Sequence, residues 1–248
     1  MKFSQTGIPG LDKMLDNKGI PAGYSVSIIG APGAGKTTLA MQFLYNGAKL
    51  YKERGLYVSL DENIPRLKEA MLSVGIDLNS LRGKTLNYID ATQLRSIPSH
   101  LEVGGYDVKK EEFSLLSLME SIRKKVVEVK VKRIVIDPLA MLTVLFPNES
   151  ERRIAVADLI QHLSTLGATS LLLTELPTDA PIRSYQIEDY LSQGAIIMRK
   201  IRNENHLSYV IQIEKMRGVQ HDNEARLYKI EQGGINVIPT ESVLYATM

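Results

Sequence analysis

The chain has 248 residues, enough to bury a full core as one α/β domain. Its 30 Lys and Arg against 28 Asp and Glu leave a net charge of +2, which excludes a global field that would draw it onto nucleic acid or an anionic membrane. The absence of cysteine removes disulfides, thiolate catalysis and thiolate metal sites together.

The opening "MKFSQTGIPG" lacks the apolar core of a signal peptide, and no run approaches the ~18 apolar residues needed to span a bilayer. A cytoplasmic protein without membrane contact is expected. "YSVSIIG" (24–30) is β-branched and apolar, a buried strand running into a glycine-rich turn. A helix follows over roughly 36–53, with Leu39, Phe43 and Leu50 among its apolar positions. "GLYVSLDE" (55–62) predicts a second strand ending in two acids, and "IPRLKEAMLSVG" a short amphipathic helix closed by Gly75. "TLNYIDA" (85–91) reads as a strand and 112–129 as a helix. "KRIVIDPLAML" (132–142) supplies an apolar strand ending at Asp137, with Pro138 stopping the ladder. A stripe of Ile154, Leu159, Ile160, Leu163 and Leu166 predicts a helix over 150–167 with Gly167 as its stop, and "TSLLLTE" (169–175) the next strand.

Strands alternating with helices in this way imply crossover units and a mostly parallel sheet flanked by helices. Four further runs, 194–201, 206–218, 225–231 and 235–239, are strands with short turns, so the sheet is expected to continue antiparallel at its C-terminal end. The stretches 92–111 and 176–193 carry no regular pattern and are expected to be long loops.

Gly30, four residues, then Gly35, Lys36 and Thr37 satisfy the signature of a phosphate-binding loop, in the required order of strand, turn and helix. The chemistry needs backbone amides turned inward around an anion. Gly33 and Gly35 remove side chains that would block the approach, Pro32 stiffens the turn, and Ala34 and Thr38 complete the stretch. The new helix aims its positive end at the phosphates, Lys36 adds a full charge, and the Thr37 hydroxyl can ligate Mg²⁺. Asp137 has the pattern of the strand-terminal carboxylate that holds the hydrated ion. Hydrolysis also needs a group to orient or deprotonate water; Asp61 and Glu62 are the candidates, and Glu62 is chosen as the one facing the phosphate. The alternative is an acidic pair capping the next helix. The Asn-Lys-x-Asp of guanine-specific proteins is absent downstream, so ATP (with ADP as its product) is preferred.

With these pieces placed, the chain resembles the RecA-like ATPases, and within them the KaiC-like, RadA-related branch. The likeness runs through "TGIPGLDKML", the glycine loop, "YVSLDE", "RIVIDPL", "LLLTE", "EKMRGVQH" and "GGINVIP". "GIPGLD" and "KMRG" are more specific than the loop. The resemblance implies a RecA core as a single domain over 1–248, ATP with Mg²⁺, a catalytic acid in the Asp61–Glu62 pair, and rings, usually hexamers, with ATP between subunits. Lys215 and Arg217, two apart in a strand and so on one face, would then reach a neighbour's nucleotide as an arginine finger does, with His221 beside them. Clock members of the family carry two tandem copies of this domain and this chain has one, so autokinase and clock activity are not transferred. Strand-exchange recombinases end the strand equivalent to 169–175 in Asn-Gln, where this chain has Thr174-Glu175.

Three functions compete. The first is a slowly hydrolysing, ring-forming regulatory or signalling ATPase. The second is a recombinase paralogue binding single-stranded DNA, through Arg183 and Tyr185 in 176–193, where a basic and an aromatic residue suit an unpaired strand. The third is an assembly scaffold in which ATP is glue between subunits. The four His (100, 162, 206 and 221) show no zinc spacing.

Overall fold

The computed structural model describes residues 1–81, 85–92, 102–103, 106–107, 115–176, 187–203 and 206–242. Its centre is a nine-stranded sheet in the order β13-β12-β11-β10-β3-β9-β8-β4-β5. These strands are β3 (Ser25–Gly30), β4 (Gly55–Ser59), β5 (Leu86–Asp90), β8 (Arg133–Asp137), β9 (Thr169–Glu175), β10 (Gly194–Asn203), β11 (His206–Met216), β12 (Arg226–Glu231) and β13 (Gly234–Ser242). Six of them, β10-β3-β9-β8-β4-β5, pair in parallel. From β11 outward the pairing is antiparallel. The switch falls one strand later than the sequence suggests, because β10 lies parallel to β3 before turning back into β11.

The helices are α1 (Pro9–Met14), α2 (Lys36–Leu50), α3 (Ile64–Ser73), α4 (Leu115–Val129), α5 (Leu142–Leu145), α6 (Glu149–Leu166) and α7 (Ile187–Leu191). Two small pairings lie apart from the main sheet, β1 (Phe3–Ser4) with β2 (Ile20–Pro21), and β6 (Glu102–Val103) with β7 (Tyr106–Asp107). The last pair falls inside the stretch 92–111 expected to be loop, and α7 inside 176–193. Two-residue strands and a five-residue helix are too short to show a period in sequence.

Successive strand residues face opposite ways, and the two faces bury separate cores. Tyr57, Val135, Leu171, Leu173, Ile196 and Met198 join α1 and α2 on one face. Leu56, Val58, Ile134, Ile136 and Leu172 join α4 and α6 on the other. Two stripe positions are corrected. Leu50 ends α2 in solvent at 56% exposure, and Ile154 is 62% exposed while Ala155 and Val156 turn inward. Gly47 lets α2 pass the fully buried Arg133, since a Cβ there would lie 2.4 Å from the Arg133 Cδ. Arg133 ion-pairs with Glu53 at 2.6 Å, donates to the Phe43 carbonyl at 3.0 Å, and lies 4.5 Å above the Phe43 ring.

Candidate functional site

Counting on by two along each strand carries the alternation to its C-terminal end. Asp137 follows Val135, Glu175 follows Leu173, and Lys200 follows Met198, so all three share the α2 face with Tyr57. Gly30, where the glycine-rich loop begins, is level with Glu175 on one neighbour and Met198 on the other. The sheet thus gathers one aromatic, two acidic and one basic side chain around the loop from which α2 rises.

The loop meets the backbone demands of an anion cradle. Gly33 and Gly35 have φ of +74° and +85°, angles that L side chains rarely adopt. Pro32 and Gly33 are exposed and Ala34 is buried. The Leu39 amide, bonded to the Gly35 carbonyl at 2.9 Å, makes the first helical bond. No side chain caps α2, so the amides of Lys36, Thr37 and Thr38 belong to the orphan donors of its first turn.

Lys36 folds back along the loop, its Nζ donating to the carbonyls of Gly30 at 2.7 Å and Ala31 at 3.2 Å. Burial pulls its pKa down, Glu175 and Asp137 pull it up, and Lys200 adds to the lowering. Asp137 accepts from the Thr37 hydroxyl and from the Tyr57 phenol, each at 2.8 Å on the same oxygen. Burial raises the Asp137 carboxyl above the ordinary range, against the lowering effect of those two bonds and of Lys36. Tyr57 is pushed far up by burial and by Asp137, which fixes it as a donor.

The second strand ends at Ser59, so Asp61 and Glu62 lie in the bend beyond it rather than in the strand. Asp61 is exposed and Glu62 is half-buried. Glu62's carboxyl is raised first by burial and then by Asp137, with Arg66 opposing. The Ser59 hydroxyl donates to the Glu62 carbonyl and pins the bend. Helix α3 is capped by Asn63, whose side chain accepts from the Arg66 amide at 3.3 Å, so the acidic pair is not the cap.

Besides Tyr57, three contributors to this constellation are not singled out by the sequence. Lys200 comes close enough that a Cβ built on Gly33 would lie 2.9 Å from its Nζ. Tyr228 donates its hydroxyl to the Ala34 carbonyl. Gln42 grips Ile235, accepting from its amide at 2.7 Å and donating to its carbonyl at 3.2 Å, which ties β13 to α2. The period-two run through Ile196 and Met198 is the signal that could have found Lys200; nothing local points to Tyr228 or Gln42.

Lys215 and Arg217 lie elsewhere. Strand β11 ends at Met216, so Arg217 sits in the turn with Gly218 rather than in the strand. Both still converge on one target: Lys215 donates to the Asp189 carbonyl and Arg217 to the Tyr190 carbonyl at 3.0 Å, at the end of α7. Burial, and then Arg217, lower the Lys215 pKa. His221 lies close by in sequence, its Nδ1 3.0 Å from the Val219 carbonyl. Met216 pairs with Gly194, which is level with Val26. Val26 precedes Gly30 by four residues, so Met216, between the two basic residues, stands about 13 Å along the strand direction from the level of the chain's own loop, toward the opposite end of the sheet. Arg183 and Tyr185 lie outside the described residues.

A mostly parallel sheet with helices on both faces, a glycine-rich turn after β3 and an antiparallel C-terminal extension define the RecA-like α/β class. A solved structure of a KaiC-like protein from Pyrococcus horikoshii OT3 superimposes with a TM-score of 0.80 at 28% identity, covering 96% of this chain and 99% of that one. The family model for the KaiC ATPase matches residues 4–242, and the chain belongs to that family. Circadian clock oscillator proteins KaiC from Parathermosynechococcus lividus and Synechococcus elongatus are similar at 31% and 30% identity over 95% of this chain. The chain spans 42% and 44% of their lengths. Among the described residues, no helix is long and apolar enough to cross a membrane, and no group of three or more His, Asp or Glu could hold a metal ion.

Proposed function

We propose that the chain binds ATP with Mg²⁺ at the glycine-rich loop and hydrolyses it slowly, as a subunit of a ring, usually hexameric, with a regulatory or signalling role. The observation that carries this is the convergence of Thr37, Asp137 and Tyr57 on one carboxylate oxygen beside Lys36 and Glu62. Hydroxyl and carboxylate oxygens are the hard donors Mg²⁺ takes, and one carboxylate suffices where phosphates and water supply the remaining ligands. When bound, the ion would neutralise charge on the terminal phosphates.

The chain's own residues do the rest. The amides of Gly33 and of Gly35 to Thr38 receive the phosphates, while the Ala34 amide bonds the Ala31 carbonyl at 3.1 Å and braces the loop, and Lys36 leaves the Gly30 and Ala31 carbonyls to meet them. Glu62 accepts a hydrogen bond from the attacking water and orients it. Its raised pKa makes it a stronger base than an ordinary glutamate, and Glu62→Gln is expected to cost roughly 10²–10⁴ in rate. Lys215 and Arg217, far from the chain's own loop, would leave the Asp189 and Tyr190 carbonyls to reach a neighbouring copy's nucleotide, with His221 beside them. That placement supports a ring over a self-sufficient monomer.

The test is ATP turnover with and without single-stranded DNA on protein whose mass in solution is measured with and without ATP. The proposal expects an oligomer and DNA-independent turnover that disappears in Glu62→Gln. Turnover that requires DNA supports the recombinase paralogue instead. An oligomer that binds ATP without turnover supports the scaffold, and a monomer under both conditions excludes ring and scaffold together.

A further inference from the structure

We propose that Lys200 is a second, same-chain cation of the nucleotide site, holding the part of the polyphosphate that lies away from the magnesium side. The inference rests on the nucleotide reading above and adds a residue that the loop signature does not contain.

The position follows from the sheet. Strand β10 pairs in parallel with β3 up to Met198 opposite Gly30, then runs on past the end of β3. Lys200 is the next residue on the α2 face, so its side chain is delivered over the loop rather than into either core. The Nζ stands 2.9 Å from where a Cβ on Gly33 would be, at the exposed crest of the loop. Any larger residue at Gly33 would displace the ammonium.

The opposite flank carries the acids. In the order β10-β3-β9-β8, Lys200 lies one strand to one side of the loop strand, and Glu175 and Asp137 lie one and two strands to the other. Thr37 and Asp137 therefore define the metal side, and Lys200 the side without it. Among the described residues no carboxylate pairs with Lys200, and its ammonium and that of Lys36 repel across the loop. Two cations on one loop, the Lys36 ammonium at its start and that of Lys200 at its crest, are most stable with an anion between them. An ammonium is a point charge without the planar fork of arginine, suited to phosphate oxygens in more than one position.

Because Lys200 acts on the phosphates present in both nucleotides and not through the ion, its effect must be shared by ATP and ADP and must persist without Mg²⁺. ADP and ATP are titrated calorimetrically into wild type, Lys200→Met, Lys200→Arg and the remote surface variant Lys125→Met, each in Mg²⁺ and in chelator. Loss of one charge-assisted contact at a part-exposed site predicts affinity weaker by roughly fivefold in Lys200→Met for both nucleotides and in both buffers. Lys200→Arg is expected within about twofold of wild type and Lys125→Met unchanged. Raising salt should narrow the gap between wild type and Lys200→Met.

Unchanged affinity in Lys200→Met, or a loss seen only with Mg²⁺, overturns the assignment. Should Lys200→Met fail to fold, Lys200→Gln replaces it under the same criteria. A wild-type protein that binds neither nucleotide, or a Lys36→Ala protein that binds as tightly as wild type, would instead defeat the loop reading itself.

Discussion

Replacing Tyr228 with Phe removes one hydroxyl and leaves the ring in place. That hydroxyl donates to the Ala34 carbonyl, and the two residues are 2% and 0% exposed. The first cost is to stability. A neutral hydrogen bond is worth about 0.5–1.5 kcal/mol net, and in a chain of this size each kcal/mol moves Tm by about 2–4 °C, so a fall of roughly 1–6 °C is expected. The second cost is to binding. The Ala34 carbonyl and the Gly35 amide belong to one planar peptide unit, so a released carbonyl releases an amide of the proposed cradle. If the whole bond serves to hold that plane, ATP affinity falls by the same free energy, roughly two- to tenfold. The ring contact with Tyr209, at 5.5 Å between centroids, should be unaffected. Thermal melts without nucleotide and calorimetric titration with ATP and Mg²⁺ measure the two effects. A Tyr228→Phe protein that melts within about 1 °C of the parent and binds ATP equally well refutes the idea that β12 sets the loop.

The raised Glu62 pKa predicts that hydrolysis fails as pH falls through a midpoint above the ordinary 4.5, because protonation removes the water-orienting base. Arg66 lowers that pKa, so Arg66→Met is expected to move the acid limb of the pH–rate profile to higher pH; a shift the other way contradicts the geometry. Asp137→Asn is expected to erase the difference between ATP affinities measured with Mg²⁺ and with chelator, leaving the chelator value near wild type. Arg133→Met strands Glu53 and should cost about 3 kcal/mol, or roughly 6–12 °C in Tm, without changing nucleotide affinity. An unchanged melt would show that the buried guanidinium contributes nothing to stability.

The glycine loop and the parallel core were legible because they rest on local chemistry. Gly33 and Gly35 stand where positive φ is required, and the apolar runs of β3, β8 and β9 alternate faces along their length. Reading was weaker at element ends. Leu50 and Ile154 fit a helical period but fall at the solvent edge, and the strand expected to reach Glu62 stops at Ser59, where the Ser59 hydroxyl turns the chain. The rest of the site was hidden because it depends on strand order. Tyr228 meets Ala34 across 194 residues of sequence and Tyr57 meets Asp137 across 80, so no spacing rule joins them. Lys215 and Arg217 are two apart in sequence, but what brings them together is the carbonyl end of α7 and not a shared strand face.

The most direct test of the account is calorimetric titration of folded protein with ATP and Mg²⁺, beside Lys36→Ala. Saturable binding to wild type, weakened at least tenfold when the ammonium that now rests on the Gly30 and Ala31 carbonyls is removed, is the predicted result. Equal affinity in the two proteins, or none in wild type, would contradict it.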